Sequence, residues 1–235
     1  MSDLIKKLYH NSILSRIFHT LVYCLQRELK DCKSVLDLGC GPSSPLQYCK
    51  DIKYSVGVEA YAPYLNESSR KRIHTKYLNS KIEDLNFAEK SFDAVILIEV
   101  LEHLSPKIAI KILKMAKKWA RKKIIVTTPN GFFPMGAVDK NPLQIHRSGW
   151  TINNFTKMGF KCYGMAGMKF FYLNKNQVST MIDINGKNIF INIRFSPKRL
   201  FYILNSFMQI FTHYIPKLSF EIFAIKVIKN KIDEN

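Results

Sequence analysis

The chain has 235 residues, 47% of them hydrophobic, a length and apolar content that suit one α/β domain with an elaborated end and a real core. Lys and Arg number 36 against 18 Asp and Glu, and the formal net charge of +18 favours nucleic acid or an anionic lipid surface, although a Lys-, Asn- and Ile-rich composition also supplies part of it. Five cysteines, odd in number and without paired metal-ligand spacing, read as reduced thiols of a cytoplasmic protein, and the charged residues scattered through the first thirty positions do not make a secretory signal.

In chain order, residues 3–30 carry Leu4, Leu8, Ile13, Ile17, Leu21, Leu25 and Leu29 at helical steps, as one helix or two short ones. Short apolar runs at 33–38, 54–59, 75–80, 92–98 and 122–128 read as strands, and the uninterrupted FDAVILI is what the centre of a parallel sheet requires. A helix is expected over 107–121, opened by Pro106, with Ile108, Ile112, Met115 and Trp119 inward. Lys107, Lys111, Lys114, Lys118 and Arg121 form a basic stripe on it, the pattern of a solvated helix face. Another helix, a stop at Gly159 and a strand follow. Residues 165–196 have no clear period, 200–215 reads as an apolar helix with a thin polar stripe of Asn205, Gln209 and Thr212, and 219–229 as a last strand. The pattern predicts a Rossmann-like α/β fold: a seven-stranded, mostly parallel sheet with helices on both faces and the last strand antiparallel. It divides into an N-terminal helical segment (1–32), a core (33–163) and a C-terminal extension (164–235). The N-terminal helices and residues 164–218 are expected to roof the acceptor pocket.

The segment VLDLGCGPSSPL (35–46) ends a strand in Asp37 and follows it with Gly39 and Gly41. Glycine is needed where a backbone turns sharply and approaches a ligand, although a glycine pair also makes ordinary tight turns. The third glycine of a dinucleotide fingerprint would fall at Ser44, and Pro42 and Pro45 remove amides that a pyrophosphate would use. A nucleoside ligand without phosphate fits better. Glu59, at the end of the second strand and about twenty residues on, is placed to accept hydrogen bonds from ribose hydroxyls.

With these residues the chain resembles the class I S-adenosylmethionine-dependent methyltransferases. VLDLGCG is similar to their first motif and VGVE to their ribose motif, and the likeness continues through SFDAVILIEVLEHL, IIVTTPN and GWTINNFTKMGFK, covering about 33–163. The resemblance implies that Asp37, Gly39, Cys40 and Gly41 border the methionine end of S-adenosylmethionine. Glu59 then holds the ribose, Glu83 or Asp84 flanks the adenine, and Glu99 lies against the cofactor. The family often carries Asp where this chain has Lys81.

Beyond the fourth strand, EVLEHL supplies Glu99, Glu102 and His103, and His146 follows in QIHRSGW. The Glu-x-x-Glu-His run resembles two metal-dependent branches. One is the ubiquinone-pathway O-methyltransferases, and the other the small-RNA 2′-O-methyltransferases, which also place a His four residues before a Trp, as His146 precedes Trp150. That implies Glu99, Glu102, His103 and His146 as ligands of a divalent metal, with Glu102 and His103 in catalysis. Many small-molecule methyltransferases have a similar turn without metal. The expected acceptor is an oxygen or nitrogen of a small or lipid-like molecule, with RNA as the alternative. The apolar tail helix, flanked by Lys198, Arg199 and Lys217, is too short and polar to span a bilayer and suits peripheral contact with an anionic membrane.

Overall fold

The computed structural model describes residues 12–171 and 198–228. Helices α1 (Ser12–Ile17) and α2 (Leu21–Leu29) form the N-terminal pair. Strands β1 (Ser34–Leu38), β2 (Tyr54–Val58), β3 (Lys76–Leu78), β4 (Phe92–Ile98) and β5 (Ala120–Pro129) follow, with α3 (Ala62–Arg70) between β2 and β3 and α4 (Pro106–Trp119) between β4 and β5. Then come α5 (Ile152–Lys157), β6 (Lys161–Met168), α6 (Lys198–Thr212) and β7 (Ser219–Val227). The expected N-terminal periodicity thus resolves into two helices. His19 has φ of 46°, and Thr20 caps α2 by accepting from the Tyr23 amide. Leu4 and Leu8 lie outside the described residues.

The sheet has seven strands in the order β3-β2-β1-β4-β5-β7-β6. β1 to β5 pair in parallel, and β7 is antiparallel to both β5 and β6. Inserting the last strand between β5 and β6 makes β6 a sheet edge. Val95, Leu97, Ile124 and Val126 pack in one apolar layer with Ile112, Leu113 and Trp119 of α4 and Phe155 of α5. Ala94, Ile96 and Ile125 pack in the other with Leu25 and Leu29 of α2. β4 is buried through to Leu97, as its unbroken apolar run requires.

One expectation is corrected. α4 ends at Trp119, so Arg121 does not continue the lysine stripe. Its Nε donates to Asp93 Oδ1 at 3.1 Å, because Ala120 already pairs with Phe92 across β4 and β5. The four lysines are exposed on α4, opposite buried Ala109, Ile112, Leu113, Ala116 and Trp119.

Candidate active site

In a parallel sheet the carboxyl ends of the strands share one edge, and β1, β2, β4 and β5 deliver the candidate residues there. After β1 the chain doubles back over β2: the amides of Gly39 and Cys40 donate to the Val58 carbonyl at 2.8 and 2.9 Å. Gly39 and Gly41 have φ of 71° and 55°, the left-handed region that glycine enters freely. A Cβ on Gly39 would stand 2.7 Å from Val100 Cγ2, whereas one on Gly41 would meet nothing within 4 Å. The loop therefore rests on the turn after β4 through Gly39 and leaves a cradle over Gly41.

Asp37 is buried and points into the loop's foundation. It accepts from Ser44 Oγ at 2.5 Å and lies 3.5 Å from His74 Nε2. Burial pushes its carboxyl up to about 7, against the hydrogen bond from Ser44, and the nearby Glu59 charge adds to the rise. Ser44 Oγ also accepts from the Leu46 amide at 3.2 Å, so the short helical turn from Pro45 is capped by its own chain and offers no open amide cluster to a phosphate.

Glu59 ties the loop to the end of β2. Its Oε2 accepts from the Gly41 amide at 3.2 Å and its Oε1 from the Tyr61 amide at 2.8 Å. Burial raises its pKa while those two amides oppose the rise. Both oxygens keep further acceptor capacity, which is what two ribose hydroxyls need. Asn79, which sequence reasoning missed, donates to the carbonyls of Glu59 and Ala60 at 2.8 and 3.0 Å and fixes this strand end. Glu83 and Asp84 lie in the turn after β3, the first half-buried and the second exposed. Tyr61 and Tyr64 bond Asp139 of the long loop after β5, which thus reaches across to α3. The open space at Gly41 beside a carboxylate with acceptor capacity fits S-adenosylmethionine.

The second half of the site is the turn after β4. Glu99 has φ of 55°, and its amide donates to the Thr127 carbonyl at 3.1 Å, extending the β4–β5 ladder by one residue. Burial raises the Glu99 carboxyl. Glu102 is 2% exposed, and neither of its carboxylate oxygens makes a well-formed hydrogen bond among the described residues. Burial, then the Glu99 charge, hold it well above the ordinary range. The Glu102 carbonyl accepts from the Arg147 and Ser148 amides at 2.7 and 3.0 Å, so backbone delivers the following His146 segment. Trp150 Nε1 donates to Ser148 Oγ at 2.9 Å and Ser148 Oγ to the Leu101 carbonyl at 3.0 Å, which gives the His-to-Trp spacing a physical meaning.

Ligand-type atoms of Glu102, His103 and His146 lie within 4.8 Å of one another, and Glu99 stands outside that group. The two imidazole rings meet edge to face at 4.8 Å. Burial, and secondarily His146, push His103 down to about 4, and burial lowers His146 too, so both rings are neutral near pH 7. His146 Nδ1 lies 2.5 Å from the Phe133 carbonyl; it must donate there, which leaves the Nε2 lone pair available. A third carboxylate missed in the sequence is Glu221 of β7, raised well above its usual pKa by burial and by the Glu99 charge. Its signal was an acid inside the apolar run SFEIFAIKV.

Residues 36–124 match the family model described as a methyltransferase domain. A comparison with curated protein sequences finds no match. Among solved structures, the methyltransferase domain of the bacterial protein CtHen1-C superposes with a TM-score of 0.54 at 17% identity, over 91% of this chain and 100% of that one. A SAM-dependent methyltransferase from Archaeoglobus fulgidus gives 0.51 at 17% identity over 92% and 98%, and the plantazolicin methyltransferase BpumL in complex with SAH gives 0.51 at 15% over 97% and 87%. At these identities the structural likeness speaks for the fold, and the domain match running from β1 into β5 speaks for the chemistry. Residues 36–124 thus carry a methyltransferase domain, set in a fold that solved S-adenosylmethionine-dependent methyltransferases share.

Proposed function

We propose that the chain methylates an oxygen or nitrogen of a small or lipid-like acceptor held at Glu102, His103 and His146. The observation that carries this reading is the Glu102 carboxyl, buried beside two neutral imidazoles with Glu99 and Thr128 near it and neither oxygen in a well-formed hydrogen bond. A buried acceptor without a donor is costly, so the site favours a ligand that brings an O–H or N–H. Val100 of this turn lies against Gly39 of the glycine loop, which supports an acceptor beside the donor. When bound, S-adenosylmethionine supplies a methyl group on a sulfonium, already activated for in-line displacement, so this chain's residues must chiefly align and deprotonate. Glu59 holds the ribose end. Glu102, its basicity raised by burial, takes the acceptor proton as the new C–O or C–N bond forms and the C–S bond breaks. His103 and His146 orient the acceptor.

A divalent metal fits the same donor set. Glu102 Oε, an imidazole nitrogen of His103 and His146 Nε2, with Glu99 beside them, make a mixed O/N site suited to Mg²⁺, Mn²⁺ or Zn²⁺. An ion there would lower the pKa of an acceptor hydroxyl. This clustering also favours the second reading, a metal-dependent RNA 2′-O-methyltransferase. Labelled S-adenosylmethionine incubated with a lysate fractionated into lipid, RNA, protein and small molecules separates the readings. Label in lipid or small molecules, reduced roughly a hundredfold or more in Glu102→Gln, supports the first. Label in RNA that vanishes on chelation and returns with metal establishes the second.

A further inference from the structure

α6 is amphipathic in the reverse sense for a helix packed on a sheet. Asn205, Gln209 and Thr212 are buried, while Leu204, Phe207 and Phe211 are 40%, 52% and 62% exposed. The reason lies in β6. As the edge strand it presents unpaired backbone groups, and its last turn is irregular, with Ala166 and Gly167 at φ of 60° and 74° and a register shift between Met165 and Met168. Side chains of α6 satisfy that edge. Gln209 Oε1 accepts from the Gly167 amide at 2.7 Å and its Nε2 donates to the Gly164 carbonyl at 3.0 Å. Asn205 Oδ1 accepts from the Met168 amide at 3.0 Å and its Nδ2 donates to the Ala166 carbonyl at 2.9 Å. Because the polar stripe must face the sheet edge, the apolar stripe faces out.

That stripe does not end with α6. Tyr214 and Ile215, just after it, are 67% and 51% exposed, and α1 adds Ile17 at 46%. Phe18 meets Phe207 edge to face at 5.8 Å, and Tyr214 Oη lies 3.1 Å from His19 Nε2, so α1 and α6 make one continuous surface. Cations flank it. Arg16 and Lys217 are exposed beside the apolar residues, and α1 and α6 themselves contain no Asp or Glu.

We infer that the α1–α6 face docks on an anionic phospholipid bilayer, with the Phe207–Phe211 stripe at the acyl boundary and the basic residues among the headgroups. Lipid matches both features at once, an apolar layer rimmed by negative charge. A second copy of this chain does not: it would oppose Arg16 and Lys217 with the same cations, on a molecule of net charge +18. No described helix is long and apolar enough to cross a membrane, which leaves this contact peripheral. The inference does not depend on which acceptor is methylated.

The test is co-sedimentation of the full chain with phosphatidylcholine vesicles, with and without phosphatidylglycerol. The chain should pellet with the anionic vesicles, less so as salt rises, and Phe207→Ser/Phe211→Ser should weaken partitioning roughly tenfold or more while Lys217→Glu weakens it less. Calorimetry with S-adenosylhomocysteine should give the wild-type affinity for the double variant, showing it folded. Equal recovery in the supernatant with and without anionic vesicles overturns the inference. So does a double variant that pellets like wild type, or a wild-type dimer in lipid-free ultracentrifugation that the double substitution abolishes.

Discussion

Replacing Gly39 by alanine tests whether the cofactor loop leans on the turn that carries the acceptor residues. The backbone there has φ of 71°, where an L-residue with a Cβ costs about 1–2 kcal/mol. The added methyl would also stand 2.7 Å from Val100 Cγ2, and Val100 is buried, so it cannot simply swing away. Forced overpacking of that kind costs about 1–3 kcal/mol, giving a total of about 2–5 kcal/mol for Gly39→Ala. Gly41→Ala has a similar backbone cost at φ of 55° but no neighbour to displace, so its loss should stay near 1–2 kcal/mol, at about the backbone cost alone. Urea denaturation of Gly39→Ala, Val100→Ala, the double variant and Gly41→Ala measures each. The double-variant cycle should show a favourable coupling of about 1–3 kcal/mol, because trimming Val100 makes room for the new methyl. Additive single effects, or a Gly39→Ala no less stable than Gly41→Ala, would refute the claim that loop and turn are in steric contact.

Two further outcomes follow from the site. Glu59→Ala should weaken S-adenosylhomocysteine binding by about 1–3 kcal/mol in calorimetry, since it removes the ribose acceptor and releases the Gly41 amide, and unchanged affinity would show that the ribose sits elsewhere. His74, wholly buried and pushed down to about 4 by burial, binds its proton more weakly in the fold than in the unfolded chain; its contribution is therefore present above pH 6.5 and lost as pH falls through 4. Asp37, raised to about 7, slopes the other way between its ordinary value and pH 7. The stability gap between wild type and His74→Gln should change by about 3 kcal/mol between pH 7 and 4 in thermal melts, with His74→Gln/Asp37→Asn against Asp37→Asn separating the histidine from the carboxyl it touches, and a pH-independent gap in both pairs would refute it.

Much of this molecule was legible in the chain itself. The unbroken run FDAVILI and the glycines at 39 and 41 are local statements: a doubly covered strand must be apolar throughout, and a positive φ favours glycine. The spacing from that loop to Glu59 equally needs no tertiary information, because one short step between parallel strands fixes it. The sequence also proposed Glu99, Glu102, His103 and His146 together, and the fold brings the last three within reach of one another while Glu99 stands outside the group. What only the tertiary structure decided depends on which strands are neighbours. Inserting β7 between β5 and β6 carries Glu221 toward Glu99 and turns β6 into an edge. An edge offers backbone amides and carbonyls rather than side chains, so the helix that covers it must turn Asn205 and Gln209 inward and its phenylalanines out. Helical periodicity reveals both stripes of α6, but which one meets the protein is set by the hydrogen-bonding needs of a strand thirty-odd residues away.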